Sequence, residues 1–380
     1  MIVERPENQQ AIGSRFVLRN KFRSNGTLEK KKARLVARGF SQRPGVDYGD
    51  TFAPVARIGS IRLVASLAAR LDLELRQFDI TTAYLNGNLT EDVYIESPKH
   101  IEEVLEEIVS SGGKSCLRSA ASKTLEQLQL GDKVFLLKKA LYGLRQAGRC
   151  WYERLRAILY KFDLTQSACN PCVFYLGERE NLVIVVIYVD DIIVAARRDC
   201  DTVGRLYAHL SEEFEVKDFG LTKYCLGIEF SQKEGKITMN QRGYVDDLLK
   251  RFGMVDSKPV ATPMSQGTKL ARNEKIDSTQ VDVPYRELVG ALMYLSVCTR
   301  PDITHAASYL SQFNNCYDSD HWTAAKRVLR YLKGTRDVGL IYGKTSDPLT
   351  GFVDADWANC EIDRKSYIGF AFILAGCPIS

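Results

Sequence analysis

The sequence predicts an α+β chain organised on antiparallel strands, and three observations carry that prediction. The stretch Leu182–Ala196 sets two Val- and Ile-rich runs on either side of Asp190-Asp191, the pattern of buried strands joined at a tight turn. Tyr224–Ser231 and Lys236–Asn240 frame Glu234-Gly235 as a second hairpin. Apolar residues keep helical spacing at Ile61, Val64, Leu67, Ala68 and Leu71, and again from Trp151 to Phe162.

The acid pair is the most unusual of these features. Two carboxylates inside so apolar a run are costly unless a cation holds them. Hard oxygen ligands of this kind suit Mg²⁺. Asp is also an ordinary turn residue, so the pair alone does not decide between a metal site and a polar hairpin tip. A membrane span is excluded here, because the run is short and carries two charges at its centre.

Taken in order, Gly13–Lys21 and Lys31–Arg38 alternate as strands, with Ser24-Asn25-Gly26 as the turn between them. Lys32 and Arg34 then fall on one face by the period of two, where both could meet one phosphate group. Residues 39–54 read as loop, and Ser60 opens the first helix. Leu73–Thr82 follows as a strand whose apolar end is interrupted by Asp79, a third acid of the kind the Asp190 hairpin needs nearby. Lys99–Asp132 is polar and helix-prone, an exposed insertion. Cys150–Phe162, Val203–Phe214 and Tyr244–Phe252 are helices, and Val255–Val283 has the composition of a linker. Helices at Tyr285–Cys298, Ile303–Asn315 and His321–Lys333 come next. Leu349–Ser380 turns β-like and stops in apolar sequence, which reads as a fragment of a further domain.

Composition bounds the rest. With 380 residues, 45% hydrophobic and 26% charged, the chain is ordinary globular material with room for two or three domains. Net charge is +5 and pI about 8.6, compatible with a polyanionic partner without being diagnostic of one. Ten Lys and Arg crowd Arg15–Arg43, an arm suited to phosphates or to nuclear localisation, or simply a solvated face. Ten scattered cysteines and no secretory signal predict a reduced, intracellular setting. Cys169-Asn-Pro-Cys172 lacks a second ligand pair and reads as incidental. No HExxH, GxSxG, P-loop or GxGxxG pattern occurs, which removes the common hydrolase and nucleotide-fold classes.

Asp79, Asp190 and Asp191 brought together from two strands are the minimum set for a pair of divalent ions about 3.5–4 Å apart in phosphoryl transfer. At this point the residues resemble a known family. Gln77-Phe-Asp-Ile-Thr-Thr-Ala-Tyr-Leu-Asn-Gly, Leu141-Tyr-Gly-Leu-Arg-Gln-Ala-Gly and Tyr188-Val-Asp-Asp are similar to the ordered motifs of reverse transcriptases. Lys32-Ala-Arg-Leu-Val-Ala-Arg-Gly-Phe-Ser-Gln, Thr51-Phe-Ala-Pro-Val and Tyr224-Cys-Leu-Gly-Ile-Glu narrow the resemblance to the Ty1/copia class of retrotransposon Pol polyproteins.

The resemblance implies a right-hand polymerase fold in which an antiparallel palm is backed by helices. Fingers, palm and thumb would occupy residues 11–256, with the thumb near Tyr244–Phe252. A linker and helical connection would span 257–348, and the opening of a ribonuclease H domain 349–380. It implies RNA-directed DNA polymerase activity extending a DNA primer on an RNA template with dNTPs. Two Mg²⁺ ions, or Mn²⁺ in their place, would be held by Asp79, Asp190 and Asp191. Tyr84 falls on the residue that excludes a ribose 2′-hydroxyl, and Gln146 on a contact to the incoming nucleotide. Lys32 or Arg34 would reach the triphosphate, and the resemblance does not choose between them. Tyr188 would pack near the primer end, with Tyr224 and Gly227 in the primer-supporting hairpin. Asp354, in Phe352-Val-Asp-Ala-Asp-Trp-Ala ahead of Asp363-Arg-Lys-Ser, would be the first ribonuclease H ligand, with no such activity expected because later ligands are missing. Partners would be the RNA/DNA duplex and other Gag and Pol products in a cytoplasmic particle or the nucleus, with no membrane. Two competing expectations stand beside this one: a truncated, inactive remnant that only binds nucleic acid, and a polymerase of another template class.

Overall fold

The structure, a computed structural model, describes residues 1–7, 9–22, 27–111, 115–178, 181–271, 282–358 and 364–380. It is a mixed α/β chain with several antiparallel sheets. β1 (Ile2–Glu4) leads to a long ribbon of β2 (Ser14–Phe22) and β3 (Leu28–Ala37), which pair from Ser14↔Ala37 outward. The turn expected at Ser24-Asn25-Gly26 lies outside the described residues. α1 (Ile58–Leu71) buries Ile61, Val64, Ala65 and Ala68 and ends where Asp72 turns left-handed at φ 57°.

β4 (Glu74–Ile80), β5 (Asn88–Ile95), the helix pair α2 (Ile101–Ser110) and α3 (Ser115–Gln129), and β6 (Lys133–Lys139) follow. β1, β6 and β5 form one small sheet. α2 and α3 bury only a narrow seam at Leu105, Ala121 and Leu128, as an exposed insertion should. α4 (Ala147–Lys161) carries Trp151, Leu155, Ile158 and Leu159 into the main core.

The central sheet is completed by β7 (Thr165–Gln166), β8 (Val173–Leu176), β9 (Val183–Tyr188), β10 (Asp191–Ala196) and, after α5 (Asp201–Glu213), β11 (Val216–Leu221). Its strand order is β11-β4-β10-β9-β8-β7. Every residue of Val183–Ile187 and Ile192–Ala196 is buried, because helices cover the sheet and β-branched side chains pack well on a pleated surface.

The second expected hairpin differs in detail. Tyr224–Ser231 is not one strand but two, β12 (Tyr224–Cys225) and β13 (Ile228–Lys233), folded back at Leu226-Gly227. Both turn residues have positive φ, 51° and 72°, the requirement of a type I′ turn. β13 then pairs with β14 (Lys236–Asn240) across Glu234-Gly235, also both at positive φ.

A second core unites α6 (Arg242–Arg251), α7 (Tyr285–Cys298), α8 (Thr304–Ser311) and α9 (Ser319–Gly334), with Val245, Leu248 and Leu249 of α6 buried among them. The expected helix at Ile303–Asn315 is shorter at both ends: a 3-10 turn occupies Pro301–Ile303, and α8 stops at Ser311. The described part of the expected linker is held against α9: Lys333 Nζ donates to the carbonyls of Val255 and Ser257, and Arg330 to that of Lys258. β15 (Leu340–Tyr342) joins β14. β16 (Thr350–Ala355), β17 (Ile368–Leu374) and β18 (Cys377–Pro378) form a separate sheet. No helix among the described residues is long and apolar enough to cross a membrane.

Candidate active site

The site is assembled at one end of the central sheet. β10 runs antiparallel to β4 so that Asp191 lies directly opposite Asp79, and on the far side of β4 Lys217 of β11 is opposite Asp79 in turn. Asp191 also faces Tyr188 across the β9–β10 hairpin. Directly opposed residues share a sheet face, so Lys217, Asp79, Asp191 and Tyr188 form a row across four strands.

The hairpin differs from expectation by one residue. Its two-residue loop is Val189-Asp190, and Asp191 is the first residue of β10 rather than the tip. Val189 sits at φ 58°, a costly conformation for a β-branched residue. Two contacts hold it there: the Trp151 indole N–H donates to the Val189 carbonyl at 2.6 Å, and the Ile80 amide donates to the Asp190 carbonyl at 2.9 Å. Asp190 is thereby presented exposed, while Asp191 is half-buried.

Electrostatics follow from that placement. Burial raises the Asp191 carboxyl above the ordinary carboxylate range, and the charges of Asp190 and Asp79 add to the rise. A hydrogen bond from Gln77 Nε2 to Asp191 Oδ1, at 2.8 Å, works the other way. Gln77 is buried, two residues before Asp79 on the same face of β4. Nothing in the alternation of β4 distinguishes it from a structural amide, so its role has no signature in the sequence.

Three aspartates that repel one another and offer only hard oxygens fit a divalent cation. Among the described residues, no three His, Cys, Asp or Glu side chains already converge as a ready coordination set. Asp354 lies elsewhere, exposed on β16 opposite Gly369.

Beside the acids stand three tyrosines. Tyr84, on a 3-10 turn at Ala83–Asn86, is half-buried, and burial together with the charge of Asp190 raises its phenol. Its ring lies 5.1 Å from that of Tyr142, and the Arg34 guanidinium stands 5.5 Å over Tyr142. Of the two candidate cations on β3, Arg34 therefore reaches the aromatic side of the site, whereas Lys32 is exposed further out on the ribbon, opposite Arg19.

Gln146 is placed differently from the acids. It is buried at the start of α4, its Oε1 accepting from Gln42 at 3.0 Å and its Nε2 donating to the Asp47 carbonyl at 2.9 Å. Through these two bonds it braces the loop after β3. Tyr142 of the same motif, not singled out from sequence, occupies the site side.

The β12–β13 hairpin brings Cys225 within reach of the charge on the acids. Burial pushes the Cys225 thiol up to about 12, with Asp191 and Asp190 adding to the rise. Tyr224 is exposed beside it. Gly227 is required: a Cβ there would lie 2.5 Å from the Tyr294 hydroxyl, which donates to the Leu226 carbonyl.

With that geometry in place, comparison defines the class. The family described as "Reverse transcriptase (RNA-dependent DNA polymerase)" matches residues 1–115 and 124–266, and the chain belongs to it. Its relatives are Pol polyproteins of copia-type transposons. It is 36% identical over its whole length to the retrovirus-related Pol polyprotein from transposon TNT 1-94 of Nicotiana tabacum, of which it covers 27%. It is 37% identical over 99% of its length to that from transposon RE2 of Arabidopsis thaliana, of which it covers 24%. To the transposon Ty1-H Gag-Pol polyprotein of Saccharomyces cerevisiae it is 25% identical over 97% of its length, covering 20% of that protein. The chain thus spans about a quarter of the two plant relatives.

Proposed function

We propose that this chain is the polymerising region of a copia-type element and carries out RNA-templated DNA synthesis from a primer. The observation that carries the reading is the cross-strand pair Asp79–Asp191 with Asp190 in the adjoining turn. The β2–β3 ribbon is read as fingers, the β11-β4-β10-β9-β8-β7 sheet as palm and α6 as thumb. Asp79, Asp190 and Asp191 would hold two Mg²⁺ ions, or Mn²⁺, which when bound neutralise charge on the attacking and leaving oxygens of the phosphoryl transfer.

The chain's own residues then supply position and exclusion. Arg34, with Lys32 further along β3, offers cationic nitrogens to the triphosphate. The Tyr84 ring fills the space a 2′-hydroxyl would need and so favours dNTPs. Tyr188 and the Tyr224–Gly227 turn support the primer end. Duplex would be held by backbone and shape rather than by sequence. The Gag-Pol naming of the yeast relative suggests Gag and other Pol products as partners, inside an intracellular particle or nucleus.

The test is primer extension on poly(rA)/oligo(dT) with Mg²⁺ and dTTP, wild type beside Asp190→Asn. Extension by wild type and none by a folded, duplex-binding Asp190→Asn protein is expected. Extension by both would remove the metal assignment. Duplex binding without extension by wild type would leave a nucleic-acid-binding protein and overturn the polymerase.

A further inference from the structure

We infer that Tyr142 is a specificity-determining residue for the incoming nucleotide, forming with Tyr84 a two-ring wall against its sugar beneath Arg34. The inference rests on the polymerase reading above and deepens it. Two separate contacts fix the ring. Tyr84 lies 5.1 Å away with the planes tilted by 54°, an arrangement that aromatic pairs favour. Arg34 stands over the same ring at 5.5 Å, within the range of a cation–π contact. The backbone is locked as well, because the Ala37 amide donates to the Tyr142 carbonyl at 2.8 Å.

The following residue shows how tightly the turn is seated. Gly143 has φ 92°, and a Cβ there would stand 2.1 Å from the Ala37 carbonyl. Gly39, facing it, would put a Cβ 2.0 Å from the Gly143 carbonyl. Two glycines thus let the end of β3 and the turn before α4 touch backbone to backbone. That contact delivers Tyr142 to Tyr84 and Arg34 together, so the aromatic wall and the cation belong to one rigid arrangement. Asp190 lies close enough for its charge to bear on both phenols, which places the wall at the edge of the acids.

Gln146 complements this assignment. Both ends of its amide serve Gln42 and Asp47, so the polar residue of the motif acts as a brace and the aromatic one faces the site. The wall has the chemistry of a sugar contact: two ring faces and edges exclude an extra hydroxyl by shape, and the guanidinium above them suits the first phosphates of a nucleoside triphosphate.

The experiment compares wild type, Tyr142→Phe and Tyr142→Leu in primer extension on poly(rA)/oligo(dT), measuring kcat and KM for dTTP, discrimination against UTP and 2′,3′-dideoxy-TTP, and duplex Kd. Tyr142→Leu is expected to raise the dTTP KM about tenfold and to weaken sugar discrimination, with duplex Kd unchanged. Tyr142→Phe, which keeps the ring, should keep discrimination near wild type. Unchanged KM and discrimination in Tyr142→Leu would overturn the inference. Loss of duplex affinity in parallel with incorporation would also overturn it, since that is the mark of a structural residue. A wild type that binds duplex but does not extend would remove the polymerase reading and this inference with it.

Discussion

Asp191 shows how one residue can be both unfavourable to the fold and placed for chemistry. Burial, then its two acidic neighbours, raises its carboxyl above the ordinary value of about 3.9. A carboxyl raised in the folded state contributes least once it ionises, so this group's support is present at low pH and is lost as pH rises through the raised value. Asp191→Asn is therefore expected to raise the Tm of metal-free protein at pH 7, by roughly a few degrees, with the gain vanishing below the ordinary carboxylate range. Thermal melts in chelator at the two pH values check this, and a lower Tm at pH 7 would contradict it. The three acids were legible from sequence because a charge in an apolar strand is anomalous wherever the strand pairs. Gln77 and Tyr142 were not. Gln77 gains its meaning only when β4 meets β10, and Tyr142 only when Gly39 and Gly143 touch, a contact bridged by Gln42 and Gln146, 104 residues apart.

At the scale of elements, the turns were the least legible parts. The β9–β10 loop uses Val189 at positive φ, against local preference, because Trp151 holds its own carbonyl and Ile80 that of Asp190. No composition rule would choose valine there. The β12–β13 turn was hidden inside an apolar run, although Gly227 marks it in hindsight. Its stability depends on α7, through the Tyr294 hydroxyl on the Leu226 carbonyl. Tyr294→Phe keeps the ring contact with Tyr244 at 5.2 Å but removes that bond, worth about 1 kcal/mol. The expected outcome is primer released about fivefold faster, giving shorter products in a trapped single-encounter extension, with dTTP KM unchanged. Product lengths equal to wild type would show that the bond does not steady the primer side.

For the whole molecule, the second core is pinned by a buried polar anchor that joins the end of α7 to the end of α9. Arg300, 2% exposed at its side chain, makes a two-pronged pair with Asp302 at 2.9 and 2.7 Å and also donates to the Thr335 carbonyl at the end of α9. Although burial raises the Asp302 carboxyl, Arg300 holds it below the ordinary range. Its contribution is thus present above the ordinary carboxylate value and lost as pH falls through the lowered one. Asp302→Ala leaves a buried guanidinium without its counter-charge and should cost about 3 kcal/mol, read as a lower urea midpoint at pH 7. A midpoint within error of wild type would show the pair to be dispensable.

The family match ends at residue 266, yet α6 lies ahead of that point and buries Val245, Leu248 and Leu249 against helices beyond it. On the ribosome, α6 therefore emerges with its apolar stripe facing nothing. At synthesis rates of about 5–20 residues per second, it waits several seconds for α7 to arrive. During that interval all six strands of the central sheet have been made while α6 is still uncovered, the state in which a chaperone has most to hold. Any expressed version cut near residue 266 would live permanently in that interval.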